Sequence, residues 1–89
     1  MVWISNQTPG TITVSVSNKS YSDGSASEYP IQPKGLEAWG KNYWVRFGDE
    51  TVKIRFEGGR TVEFTAGKDK FVTIYADTIA MWDCEVIKF

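Results

Sequence analysis

The sequence lacks histidine entirely and contains a single cysteine among 89 residues. Without histidine it lacks the side chain that most often serves as a general base, proton shuttle or metal ligand. We therefore expect no enzyme activity, no metal and no cofactor. Cys84 has no partner for an intramolecular disulfide and no histidine to activate it. It is most simply a small buried hydrophobic residue, and the chain fits a reducing, cytoplasmic compartment.

A strong charge of one sign and long apolar runs are also missing. Ten basic and eleven acidic residues give a formal net charge of −1, so there is no basic field for nucleic acid or an anionic membrane. The stretch Val2 to Ser5 is too short for the apolar part of a signal peptide. No stretch approaches the roughly 18 apolar residues of a membrane span. We expect a single non-secretory domain over residues 1–89, with no transmembrane segment and no nucleic-acid partner.

Alternation of apolar and polar residues dominates the chain and is typical of strands that bury one face. Its clearest case places Ile12, Val14 and Val16 between hydroxyl residues, and these three are predicted to face the core. Val2 to Ser5 is predicted to form the preceding strand. The turn residues Asn6 to Gly10 are predicted to join the two strands as a hairpin.

A second hairpin is predicted around Gly58-Gly59. Pairing Ile54 with Phe64 and Arg55 with Glu63 aligns the apolar faces and brings opposite charges together. A plain two-residue loop at the glycines would break this alignment. We therefore predict a three-residue loop or a bulge, with a glycine supplying the positive φ.

The remaining segments complete an all-β pattern. Proline cannot donate to a ladder, so the short segment that contains Pro30 is predicted at a sheet edge. The other predicted elements are a polar loop at Asn18 to Glu28, a strand at Leu36 to Trp39, a central strand at Phe71 to Tyr75 and a terminal strand at Ile79 to Phe89. About seven short strands indicate an antiparallel β-sandwich, with a small β-barrel as the alternative.

Aromatic residues make up 15% of the chain, and their densest group runs from Trp39 to Glu50. Indole and phenol rings stack on the apolar faces of sugars, while planar polar side chains fix the hydroxyl groups. Some of these rings, Trp44 above all, are expected in the core instead. The predicted ligand-binding residues are Trp39 or Tyr43 for stacking and Asn42, Arg46 and Asp49 for hydrogen bonds.

Several segments resemble the small β-sandwich proteins of fungal fruiting bodies that lack a signal peptide. The resemblance lies in Trp3 to Thr8, the strand Thr11 to Asn18, Tyr29 to Gly35, and Asn42 to Trp44. That group contains cytosolic lectins and the actinoporin-like and aegerolysin-like membrane-binding proteins. The resemblance implies a β-sandwich that binds sugars or membranes. This chain is shorter and has no N-terminal amphipathic helix, so the resemblance does not imply pore formation.

The predicted function is a non-enzymatic carbohydrate-binding, lectin-like module that uses residues 39–50. One alternative is a protein that binds lipid head groups or a membrane surface, with neutral or zwitterionic lipids as its targets. The other is a structural homo-oligomer whose aromatic residues form the interface. We expect a homo-oligomer because an unpaired sheet edge, at Val2 to Ser5 or at Ile79 to Phe89, can pair with a second copy.

Overall fold

The computed structural model describes residues 1–20, 26–33 and 42–83, and these form eight strands and no helix. The strands are β1 (Val2–Asn6), β2 (Ile12–Val16), β3 (Tyr29–Ile31), β4 (Tyr43–Trp44), β5 (Glu50–Arg55), β6 (Thr61–Ala66), β7 (Lys70–Ile74) and β8 (Ile79–Asp83). Sheet I has the order β4-β1-β7-β8, and sheet II has the order β3-β2-β5-β6. This confirms the predicted all-β sandwich. Within the described ranges the two sheets remain separate and do not form the alternative closed barrel.

The core lies between the inner faces of the two sheets. Ile12, Val14 and Val16 are fully buried, which confirms the prediction for β2. Nearly all core residues are β-branched, and such side chains pack well on a pleated surface. The buried cluster consists of Val2, Ile4, Ile12, Val14, Val16, Ile31, Val52, Ile54, Ala66, Val72 and Ile74.

The predicted hairpin between β1 and β2 is wrong. β1 belongs to sheet I and β2 to sheet II, so the segment between them crosses the sandwich. Buried Asn6 organises this crossing: its amide donates to the carbonyl oxygens of Gly10 (2.9 Å) and Ile31 (3.0 Å). Its Oδ1 accepts the N–H of Thr8 at 2.9 Å. Alternation specifies which face of each strand is buried but not whether two strands pair or face each other, so the sequence did not separate these arrangements.

The hairpin of β5 and β6 is confirmed, but its predicted register is wrong. Ile54 pairs with Val62 rather than with Phe64, and Arg55 pairs with Thr61 rather than with Glu63. Each partner is the next residue that faces the same side, so the apolar faces remain aligned as predicted.

The loop of this hairpin is of the predicted three-residue kind. The N–H of Phe56 donates to the carbonyl oxygen of Arg60 at 2.8 Å, which encloses Glu57, Gly58 and Gly59. Gly59 has a φ of 93°, and glycine adopts this region without the steric cost that a Cβ would impose.

β7 is a central strand, as predicted, because it pairs with β1 in parallel and with β8 antiparallel. The parallel pair departs from the predicted antiparallel arrangement. β3 is an edge strand, as predicted from Pro30. Of the two strands given as alternatives for an unpaired sheet edge, β1 lies inside sheet I and β8 lies at its edge. The predicted strand Leu36 to Trp39, part of the polar loop, and residues 84–89 with Cys84 lie outside the described residues.

An aromatic pair closes one side of the sandwich, where the edge strands β3 and β4 meet. The rings of Tyr29 and Trp44 meet edge to face, with centroids 6.3 Å apart and planes at 84°. Trp44 packs against the buried cluster, which confirms its expected place in the core.

Candidate functional site

Four aromatic residues form a row across the outer face of sheet I. Trp3 pairs with Tyr43 of β4 on one side and with Phe71 of β7 on the other, and Phe71 pairs with Trp82 of β8. Residues that are direct register partners point to the same face of a sheet. Because Val2, next to Trp3, is buried in the core, these four side chains face away from it. We call Tyr43, Trp3, Phe71 and Trp82 the aromatic row.

The aromatic row reaches every described strand of sheet I. Adjacent strands lie about 4.8 Å apart, so its three steps cover roughly 14 Å. The two end residues are the most accessible, with Tyr43 40% and Trp82 51% exposed. Trp3 and Phe71 are partly exposed between them. A contiguous group of exposed rings is a candidate interaction surface.

The next outward positions of β1, β7 and β8 on one side of the row carry small, uncharged side chains. Ser5 pairs with Thr73, and Thr73 pairs with Ala80. At the end of β1, the side-chain amide of Gln7 donates to Ser5 Oγ at 3.1 Å. Small side chains therefore border the aromatic row on this side, where Thr73 is buried and the Gln7 amide lies beside Ser5.

The outer face of sheet II has a different character. Its described positions carry no aromatic ring and are Thr13, Ser15, Pro30, Thr51, Lys53, Arg55, Thr61, Glu63 and Thr65. Arg55 makes two hydrogen bonds to the Glu28 carboxylate, at 2.9 and 3.0 Å. Of the two outer faces, only that of sheet I therefore carries aromatic rings among the described strand positions.

The predicted ligand-binding residues do not converge in the described part of the chain. Tyr43 belongs to the aromatic row, whereas Asn42 and Arg46 are buried, at 3% and 2% exposure. Asp49 is exposed in the loop between β4 and β5, and its Oδ1 lies 2.7 Å from the position that a Cβ on Gly67 would take. Trp39 lies outside the described residues. Roles for these residues in ligand binding stay predictions.

Asn42 fixes the position of Tyr43. Its side-chain amide donates to the carbonyl oxygen of Ile4 at 2.9 Å, and the N–H of Ile4 donates to the backbone oxygen of Asn42 at 2.9 Å. Asn42 Oδ1 is buried without a hydrogen-bond partner among the described residues. These bonds extend the contact between β4 and β1 by one residue and hold Tyr43 beside Trp3.

Arg46 joins the loop after β4 to the end of β2. Its guanidinium donates to the carbonyl oxygens of Ser17 (2.6 Å), Val45 (2.7 Å) and Val16 (3.0 Å). Burial lowers the pKa of Arg46, while the nearby negative charge of Glu50 raises it. Arginine remains charged in proteins, so this buried cation is stabilised by carbonyl dipoles and by a carboxylate.

Glu50 is the buried carboxylate of this region. It accepts hydrogen bonds from Ser17 Oγ (2.6 Å), from the N–H groups of Lys19 (3.0 Å) and Ser20 (2.6 Å), and from Ser20 Oγ. Burial alone would raise the pKa of Glu50, but these hydrogen bonds outweigh it and lower the pKa to about 2. A carboxylate so stabilised is a poor proton donor or acceptor near neutral pH. We assign it a structural role.

A shallow depression lies at the opposite end of the sandwich, between the loops that follow β1, β5 and β7. It is lined by Thr8, Pro9, Gly10, Phe56, Glu57, Gly58 and Ala76. Arg60 stacks on Phe56 at 4.4 Å and donates to the carbonyl oxygen of Ala76 at 2.5 Å. The N–H of Thr11 donates to Glu57 at 3.0 Å. These charged groups tie the loops to one another.

The sequence prediction missed three members of the aromatic row: Trp3, Phe71 and Trp82. Each lies at an outward position of its own strand, and alternation alone could have assigned that face. Their alignment depends on pairing between distant strands, which alternation does not specify.

Comparison of the chain with protein-family models, with curated proteins and with solved structures finds no match. Among the described residues, no group of three or more acidic, cysteine or histidine side chains is arranged to hold a metal ion. No helix in the described ranges is long and apolar enough to cross a membrane.

Proposed function

We propose that this chain is a non-enzymatic carbohydrate-binding, lectin-like module whose binding surface is the aromatic row. The observation that carries the proposal is the register that aligns Tyr43, Trp3, Phe71 and Trp82. Aromatic faces attract the C–H faces of sugar rings, and nearby hydroxyl and amide groups can bond sugar hydroxyls. The resemblance to the cytosolic lectins of fruiting bodies points the same way.

The charge of the surface favours a neutral ligand. The described outward positions of sheet I are Trp3, Ser5, Tyr43, Phe71, Thr73, Ala80 and Trp82, and none carries a charge. Recognition of a phosphate usually relies on arginine, lysine or a cluster of N–H donors. A sugar needs only stacking surface and neutral hydrogen-bonding groups. This contrast supports a glycan over an anionic lipid head group.

The size of the surface favours a small ligand over a second copy of the chain at this face. At about 3.3 Å per residue a five-residue strand is about 17 Å long, and four strands of about 4.8 Å each are about 19 Å wide, so the flat area of sheet I is roughly 320 Å². A stable protein interface buries about 800 Å² on each partner. The aromatic row alone is therefore too small to support a dimer.

Homo-oligomerisation is part of the proposal through a different surface. β8 pairs only with β7 among the described strands, and such an edge can receive a strand from another copy. Two or more copies would give the module several glycan sites and hence avidity. We place the module in the cytoplasm because its single cysteine allows no internal disulfide.

Affinity electrophoresis on gels that contain polysaccharides, together with a glycan array, tests this proposal. We expect Trp82→Ala and Tyr43→Ala each to weaken binding about tenfold, or about 1.4 kcal/mol. Phe47→Ala is the matched control, because Phe47 is 59% exposed but lies in the loop between β4 and β5. It should bind like the unmodified chain.

Sedimentation with phosphatidylcholine vesicles distinguishes the lipid alternative. We expect the protein to remain in the supernatant at lipid concentrations that saturate membrane-binding domains. Sedimentation with vesicles, combined with a blank glycan array, would overturn the proposal in favour of lipid binding.

A further inference from the structure

We propose that the aromatic row binds one extended, neutral glycan chain that runs across the strands, with successive sugar rings on successive aromatic residues. This inference rests on the proposed function and specifies its ligand class. The alternatives it excludes are a single terminal sugar and the flat face of an insoluble polysaccharide.

The shape of the surface favours a chain over a terminal sugar. Sites for small ligands are concave and bury most of the ligand. The aromatic row is instead bordered by the low side chains of Ser5, Thr73 and Ala80. Its end members, Tyr43 and Trp82, are also its most exposed residues. A ligand can therefore continue past both ends of the row.

The straight line of the aromatic row favours one type of glycosidic linkage in the ligand. Its members are direct register partners on neighbouring strands, so they follow one line across the sheet. Pyranose chains joined through equatorial bonds are extended ribbons that present their ring faces repeatedly along the chain. Chains joined through axial bonds wind into helices and leave such a line after one or two rings. Cello-oligosaccharides and N-acetylated chito-oligosaccharides are therefore the ligand class that fits.

The twist of the sheet favours a single chain over a crystal face. Neighbouring strands are rotated by about 20–25° about an axis that runs across the sheet, so the outer face turns by roughly 60–75° about the line of the aromatic row over its three steps. A soluble chain can follow this rotation through small changes in its glycosidic torsions. A flat crystalline surface can contact only part of the row.

Titration calorimetry with soluble oligosaccharides of increasing length tests the inference. We expect cellotetraose or tetra-N-acetylchitotetraose to bind at least tenfold more tightly than the corresponding disaccharide, with little further gain for the hexasaccharide. Maltohexaose, which has axial linkages, should bind at least tenfold more weakly than cellohexaose. Adsorption to microcrystalline cellulose should be weaker than binding to the soluble chains.

Variants of the end and inner rings give an independent measurement. Tyr43→Ala and Trp82→Ala should weaken tetrasaccharide binding about tenfold but leave disaccharide binding within twofold. Trp3→Ala should weaken both, and Trp3→Phe, which retains a ring, should recover most of the affinity if the alanine variant folds poorly. Phe47→Ala should change neither affinity.

The outcomes separate this inference from the function on which it rests. Equal affinity for the disaccharide and the hexasaccharide would overturn the chain model, as would tighter binding to crystalline cellulose. Array binding confined to branched or terminal sugars would also overturn it and leave the lectin proposal intact. Absence of binding to every glycan would instead overturn the proposed function itself.

Discussion

Trp3 and Phe71 lie side by side across the parallel pair of β1 and β7, although they are far apart in the sequence. Tyr43 and Trp82 join them through antiparallel pairing on either side. A shift of the register by one residue would turn the apolar core residues outward and the aromatic row inward. The burial of Val2 and Ile4 in the core therefore also fixes the outward position of Trp3.

The tryptophans should differ in their access to a quencher. Trp82 is 51% exposed, whereas Trp44 packs against the core. We expect Trp82→Phe to lower the fraction of emission that iodide quenches and to shift the remaining emission to the blue. Trp44→Phe should do the opposite and raise the quenchable fraction. Identical quenching curves for the two variants would contradict these positions.

The glycine pair in the loop between β5 and β6 should respond asymmetrically to substitution. Gly59 has a φ of 93°, whereas Gly58 does not have a positive φ, and neither has an atom that a Cβ would contact within 4 Å. We expect Gly59→Ala to lower the free energy of unfolding by about 1–2 kcal/mol, because a Cβ disfavours this conformation. Gly58→Ala, the control, should change it by less than about 0.5 kcal/mol. Urea unfolding of the two variants measures the difference, and equal losses would contradict the loop geometry.

Asn6 should be essential to stability because its side chain satisfies backbone groups from separate segments. Replacing it with alanine leaves the buried carbonyl oxygen of Ile31 and the N–H of Thr8 without that partner. We expect Asn6→Ala to cost about 2–3 kcal/mol in unfolding free energy. Gln32→Ala is the control because the Gln32 side chain is exposed while its backbone oxygen still accepts the Asn6 amide. Thermal or urea unfolding that shows the same stability for both variants would contradict the role of Asn6.

The sequence predicted which face of each strand is buried better than it predicted which strands are neighbours in a sheet. Ile12, Val14 and Val16 reveal their buried side through alternation, a local property of the chain. The pairing of β1 with β7 joins segments that are far apart in the sequence, so no local pattern predicts it. The same limit explains the incorrect hairpin between β1 and β2, since two strands facing each other across a core have the same alternation as two that pair.

The candidate site was predictable only in part, for a related reason. The segment Trp39 to Glu50 was predicted to hold the ligand-binding residues because its aromatic residues are close in sequence. The aromatic row takes only Tyr43 from that segment and assembles its other members through register. Arg46 was predicted as a ligand residue because its planar side chain can form hydrogen bonds to sugar hydroxyl groups. No local pattern showed that carbonyl groups and Glu50 would surround it.

Glu50 should make the stability of the fold depend on acid. Its hydrogen bonds lower the pKa in the folded state from the ordinary 4.5 to about 2. The unfolded chain therefore takes up this proton first as the pH falls, so acid favours unfolding. The contribution of Glu50 is complete above about pH 4.5 and is lost as the pH falls towards 2. Urea unfolding across this pH range should show the loss.

The variant Glu50→Gln isolates this contribution. Asp69, whose pKa is lowered chiefly by a hydrogen bond from the amino group of Met1, is unchanged in the variant and contributes equally to both curves. At pH 7 we expect Glu50→Gln to cost about 2–3 kcal/mol, because Ser17, Lys19 and Ser20 lose a charged acceptor. The cost should shrink as the pH falls from 4.5 towards 2. Glu63→Gln, on the exposed outer face of β6, is the control and should cost less than about 1 kcal/mol at pH 7. A cost for Glu50→Gln that stayed constant across the acid range would refute the charge-dependent role of Glu50, because only loss of the charge makes that cost vary with pH.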